Sequence, residues 1–359
     1  MRVQKYIFGV LCVLCCAVGA VHAHSFRFHT QTSISVDFDG SGTVDFPDFI
    51  AFAAAFGKSA DGDNAKFDLD SSGAIDFGDF LVFATSFGQA SGSTGDTTTE
   101  PENTFGNEVT ITTQNNLRVI RSNGLPDHET GAFPNSGNPH SISEQSIFVR
   151  VPLNPEIAST ATSVLGSNNR PAYKAGIAIN GIEFDPTTAE FWRRDASLGW
   201  NIEAIGGTLN LGLDQNEAHV QPTGQYHYHG IPWGLTAKQD TTKHSTLYGY
   251  AADGFPIYIV YGTSDPADVN SVVRRIKSSY QLKSGARPSD GPSGNYDGTY
   301  TQDYDYVAGS GDLDECNGRF GITPDYPDGI YHYFITDTFP FQLRCFKGTP
   351  NGTFRLGPP

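Results

Sequence analysis

The chain has 359 residues and a formal net charge of −16; 17% of it is charged, 12% is aromatic, and it holds 40 glycines and 21 prolines. That length allows two or three domains with a sizeable core, and the mixture favours strands and loops over helices. The acidic balance excludes the basic footprint of a nucleic-acid binder and suits a soluble or cation-holding protein.

Residues 1–23, MRVQKYIFGVLCVLCCAVGAVHA, read as a signal peptide. Arg2 and Lys5 precede an apolar run from Ile7 to Val21, and Val21 and Ala23 suit cleavage before His24. The run is short for a membrane span and no later stretch could be one. The expected location is therefore secreted, periplasmic or at the cell surface. The residues before Cys15 and Cys16 fit a lipid-attachment signal poorly. Cleavage would remove three of the five cysteines and leave Cys316 and Cys345, an even pair in an oxidising compartment. The pair reads as one disulfide, with two soft metal ligands as the alternative.

Residues 34–88 carry an exact internal repeat at an offset of 31 residues: Asp37 with Asp68, Gly42 with Gly73, Phe46 with Phe77, Phe52 with Phe83. The copies, DFDGSGTVDFPD and DLDSSGAIDFGD, place oxygen ligands at the spacing of an EF-hand loop. The first supplies Asp37, Asp39, Ser41, the Thr43 carbonyl, Asp45 and Asp48; the second Asp68, Asp70, Ser72, the Ala74 carbonyl, Asp76 and Asp79. Gly42 and Gly73 make the sharp turn. Val44 and Ile75 are expected to form a short β contact between the loops. Phe49, Phe52 and Phe56, and likewise Phe80, Phe83 and Phe87, mark the apolar faces of two helices that pack on one another. A loop followed by one helix, duplicated, with Asp at position 12, resembles the dockerin-type calcium module. The resemblance implies two Ca²⁺ ions and a role for them in folding. Phe46-Pro47 and Phe77-Gly78 stand where cohesin-binding modules often carry small hydroxyl residues, which argues against a cohesin partner.

Residues 89–104, QASGSTGDTTTEPENT, have linker composition. From 105 to 359 the chain shows β-type runs between Gly, Pro, Asn and Asp turns, with helical turns expected only near 187–193 and 267–277. The expected fold is a mainly β, loop-rich domain with mixed sheets, preceded by a small α-helical calcium module.

The run QYHYHGIP, residues 225–232, alternates tyrosine and histidine. In a strand His227 and His229 share one face and Tyr226 and Tyr228 the other. His219 stands eight residues before His227, with QPTG between, so a hairpin would join the three. His332, in YHYF, would join them if its strand pairs beside the first. His128 and His140 are further candidates. Three imidazoles with an optional carboxylate suit Zn, Cu, Fe or Mn. Acidic candidates are Asp253, Asp312, Asp314 and Glu315; Glu315 or Asp253 would act as catalytic base on a bound water. Arg319 is expected to neutralise Glu315 or to meet an anionic substrate. The alternative is a polar stripe satisfied by backbone and Asp.

GQYHYHG and GDLDECNGRFG, with AGIAINGIEFDP and LYGYAADGFPIYIVYG, resemble the YHYH family over most of residues 108–350. The resemblance implies an architecture and no reaction. Two functions follow from the residues. One is a metal-dependent hydrolase or oxidoreductase. The other is an extracellular module that binds a glycan or protein ligand, its histidines structural. The G-x-S-x-G elbow, P-loop, dinucleotide fingerprint and H-E-x-x-H are absent.

Overall fold

The computed structural model describes residues 36–69, 73–76, 79–80, 83, 105–206 and 209–357. The signal peptide, the linker, Asp70, Ser72 and Phe87 lie outside those residues. The chain divides into two compact units at residues 98/99.

In the first unit, the helix α1 (Phe46–Ala55) starts at Asp45, with Pro47 in its first turn. Asp48 closes a capping box at the helix start. Phe52 is 1% exposed and stacks on Phe83 with ring centroids 5.4 Å apart. Phe49 packs at the edge of this pair, as expected. Phe56, the C-cap after the helix ends at Ala55, meets Phe52 edge-on with centroids 6.1 Å apart, but its side chain stays exposed. A 3₁₀ helix, Gly62–Phe67, leads into the second loop. The expected contact between Val44 and Ile75 is replaced. The Ile75 N–H donates to the Lys58 carbonyl and its carbonyl accepts from Gly57, so the second loop is stitched to the chain leaving α1.

The second unit is mainly β. A meander of β1 (Val109–Gln114), β2 (Leu117–Ser122) and β3 (Ile147–Pro152) opens it. After β4 (Thr162–Ser163) come β5 (Gly176–Ala178), β6 (Glu183–Phe184), β7 (Ala218–Val220) and β8 (Tyr226–Tyr228). Then follow β9 (Gly249–Ala251), β10 (Pro256–Ile259), β11 (Tyr261–Thr263) and β12 (Val273–Arg275). The chain finishes with β13 (Tyr280–Leu282), β14 (Tyr304–Tyr306), β15 (Gly318–Thr323), β16 (Tyr326–Ile335) and β17 (Cys345–Phe346). Eight strands form one mixed sheet in the order β15-β16-β10-β9-β5-β6-β8-β7, with β10–β16 and β6–β8 parallel. From β10 through β9, β5 and β6 to β8 every strand residue is buried, as befits strands covered on both faces. Ile177, Phe184, Ile257, Tyr333 and Ile335 lie in its core. The helical turn expected near 187–193 does not form over most of those residues; 3₁₀ turns come later, at Trp192–Arg194 and Ala196–Leu198. The one near 267–277 does not form a helix; Val273–Arg275 pairs with β11 instead. Cys316 and Cys345 form a disulfide. No helix among the described residues is long and apolar enough to cross a membrane.

Candidate metal centre

The hairpin expected from QPTG forms. The Gln221 N–H donates to the Gln225 carbonyl and the Gly224 N–H to that of Gln221, with Gly224 at φ +84°. A side chain at 224 would be strained there and would also collide with Ser143. The hairpin sets β7 against β8 so that His219 lies opposite His227. The alternation then does its work. Tyr226 and Tyr228 turn into the core, where the Tyr226 hydroxyl donates to Asp214 Oδ2 at 2.7 Å. His128 donates from Nδ1 to the Glu129 carbonyl, so its Nε2 accepts from the Tyr228 hydroxyl at 2.6 Å. That satisfies His128 as a core group.

His227 and His229 take the other face. His229 Nε2 lies 3.0 Å from His227 Nε2 and 3.2 Å from His219 Nε2. His219 Nδ1 is 2.9 Å from the Leu211 carbonyl and His227 Nδ1 is 3.3 Å from the Gln225 carbonyl. A carbonyl only accepts, so both Nδ1 atoms carry the proton and both Nε2 atoms keep a bare lone pair. A proton on His229 Nε2 could serve one of them and would leave the other facing a nitrogen. A metal ion serves all three, and ligands of a tetrahedral zinc at its usual bond length stand about 3.3 Å apart. Tethering of the distal nitrogen to backbone is also how ligand imidazoles are oriented. Burial holds the cluster neutral. It pushes His229 down to about 3, with His219 adding to the effect. It pushes His227 well below its ordinary value, with Lys174, His229 and His219 adding. His219 is lowered by burial too.

The three histidines face a cleft of about 430 Å³, lined also by His140, Lys174, Asp185, Thr188 and Glu190. Lys174 and Asp185 are buried and paired at 2.7 Å. Burial works to lower Lys174 and to raise Asp185, but each charge overcomes it for the other, so the pair stays ionised. Glu183, the cross-strand neighbour of His227, accepts from Gln225 Nε2 and is raised by burial. Sequence reasoning missed Lys174, Glu183 and Asp185. The signal was the run IEFDP, in which two carboxylates alternate on a strand as the two histidines do.

Three expected members are elsewhere. His332 sits on β16, five strands from β8 in the sheet order, about 24 Å at the usual strand spacing. Asp253 is buried in the β9–β10 turn, accepting from the Tyr333 hydroxyl at 2.6 Å and from the Gly348 N–H. Glu315 is half exposed and paired with Lys347 at 2.6 Å. Neither carboxylate lines the cleft, so neither is placed to act as a base there. Asp312 binds Arg274 through two hydrogen bonds, and Asp314 caps the turn at Cys316 and Gly318. Arg319 does not meet Glu315; it donates to the Thr263 carbonyl.

In the first unit, Asp37, Asp39 and Asp48 bring one oxygen each within 4.8 Å of one another. Asp45 Oδ1 is buried without a partner, and its carboxyl is pushed up by burial, then by Asp48, Asp39 and Asp37. Ser41 Oγ donates to the Thr43 carbonyl. Three bonds of the first copy recur in the second. Asp48 accepts from Phe38 and Asp45 N–H as Asp79 does from Leu69 and Asp76. Asp37 accepts from Gly42 N–H as Asp68 does from Gly73. The Ala74 backbone bridges to Ser59.

No curated protein and no solved structure matches this chain. Residues 148–348, more than half of the chain and the part that holds the histidine cluster and the disulfide, match the family model described as YHYH protein, and the chain belongs to that family.

Proposed function

We propose that this protein is an exported metalloenzyme whose His219, His227 and His229 hold one transition-metal ion, Zn, Cu, Fe or Mn, at the floor of the cleft. The observation that carries the reading is the convergence of three Nε2 atoms, two of them with lone pairs bared by the backbone tethers. Three protein ligands and an open side follow the pattern of catalytic rather than structural sites. The ion would act as a Lewis acid on a ligand entering from the cleft. The duplicated loops bind calcium, one ion each, and the ions support the fold of the small first unit. The repeated ligand spacing and the four gathered carboxylates of the first loop support that reading. The alternative, a module that binds an extracellular ligand with structural histidines, lacks an observation of its own in the cleft.

Elemental analysis of the purified full chain tests both sites at once. The expected content is one equivalent of a transition metal and two of calcium. His227→Ala and His229→Ala each lose the transition metal and keep the calcium, with circular dichroism unchanged. Asp37→Ala loses one calcium and keeps the transition metal. A parent that takes up no transition metal even after reconstitution removes the metalloenzyme reading, and one that takes up no calcium removes the other.

A further inference from the structure

A second cleft, of about 980 Å³, is lined by the segment 235–246 and by the turn from β11 to β12, and it shares no lining residue with the histidine cleft. Its walls are largely apolar. Ile179, Leu235, Tyr248 and Val273 line it, and so do Val269 and Val272, which are 54% and 73% exposed. An apolar body in the cleft would take this surface out of water. The charged groups of the cleft, Lys238, Asp240 and Lys243, are exposed, and Lys243 pairs with Asp240 at 2.9 Å. Solvent screens them, so they select no ion.

Two buried polar atoms of the lining residues have no partner among the described residues. His244 is 8% exposed and packs edge-on against Tyr258. Its Nδ1 lies 2.8 Å from the Ser245 carbonyl, which only accepts, so Nδ1 carries the proton and Nε2 keeps a bare lone pair without a partner. Gln239 is the opposite case: its Nε2 is buried with its N–H donors unused. One atom lacks a donor and the other an acceptor, and each costs free energy while it stays unmet. A hydroxyl supplies both. A carboxylate cannot donate, and an ammonium cannot accept.

We infer that this cleft binds a neutral apolar molecule carrying a hydroxyl, a phenol or an aliphatic alcohol, whose O–H donates to His244 Nε2 and whose oxygen accepts from Gln239 Nε2. Leu235, Val269 and Val272 cover its hydrocarbon. The site is independent of the metal reading above.

The probe is p-butylphenol, measured by equilibrium dialysis against the full chain beside p-butyltoluene, which replaces the hydroxyl by a methyl, and p-butylbenzoate, which replaces it by a carboxylate. The phenol is expected to bind roughly tenfold more tightly than either. His244→Leu removes the acceptor at similar size and is expected to bind phenol and toluene alike. Val272→Asp is expected to weaken both. A parent that does not bind the phenol, binds it no better than the toluene, or prefers the benzoate overturns the inference. So does a phenol preference that survives His244→Leu, or phenol binding unchanged by Val272→Asp, which would put the ligand elsewhere. Should His244→Leu fail to fold, Gln239→Leu, at a half-buried position, is expected to narrow the preference, and an unchanged preference overturns the inference.

Discussion

His332 and His227 stand in the same local setting, each between two buried tyrosines on a strand, yet they meet different surroundings. His227 finds two other imidazoles. His332 is 0% exposed, donates from Nδ1 to the Ile330 carbonyl at 3.0 Å, and leaves Nε2 buried without a partner. Its neighbours are His244, Tyr258 and Arg319. Burial pushes it down to about 3, the Arg319 and His244 charges act in the same direction, and the Ile330 bond opposes them. The unfolded chain would titrate it near its ordinary value of about 6.5. Below that pH the unfolded state binds a proton that the folded state refuses. Stability is therefore intact above about pH 6.5 and is lost as pH falls toward 3, by about 1.4 kcal/mol per unit for one group. Urea midpoints measured from pH 7 to pH 4 should fall less steeply in His332→Leu than in the parent. Parallel slopes would mean that His332 is already charged in the folded protein.

At the scale of elements, α1 shows how a periodic pattern is read and where it stops. Phe49, Phe52 and Phe56 fall on one helical face, and that face does meet Phe83. The helix ends one residue before Phe56, which touches the edge of Phe52 but stays largely in solvent. The two phenylalanines should then differ sharply. Phe52→Ala empties the centre of a small core and should cost about 3–5 kcal/mol, enough to unfold a unit of this size. Phe56→Ala, at a site 48% exposed, should cost under about 1 kcal/mol. The calcium-saturated thermal transition of the first unit reports both. If Phe52→Ala leaves that transition in place, the stacked pair is not its core. The β7–β8 hairpin is the matching case in the second unit. Its register follows from a short turn and an alternating pattern, both local, and it alone assembles all three histidines.

Across the whole molecule, the disulfide ties the turn before β15 to β17 over a separation of 29 residues. Closing a loop of that size restricts the unfolded chain and should stabilise the β unit by about 3–4 kcal/mol. All three tryptophans, Trp192, Trp200 and Trp233, belong to that unit, so their fluorescence isolates it. Urea unfolding with and without a reductant should show the loss; coincident curves would remove the disulfide as a determinant of stability. The same long-range organisation explains what was legible in the sequence. Residue order alone determined the alternation of His227 and His229, the hairpin that adds His219, the repeat at 31 residues and the choice of Cys316 and Cys345 as a pair. The first three are set by contacts between residues close in the chain, and the last by counting. Tertiary structure alone decided that His332, Asp253 and Glu315 stand apart from the cluster, and that Lys174 and Asp185 stand in its cleft. The order of strands in the eight-stranded sheet arises from pairings between distant segments. β8 lies beside β6 rather than β16 because of those pairings, which no local pattern encodes.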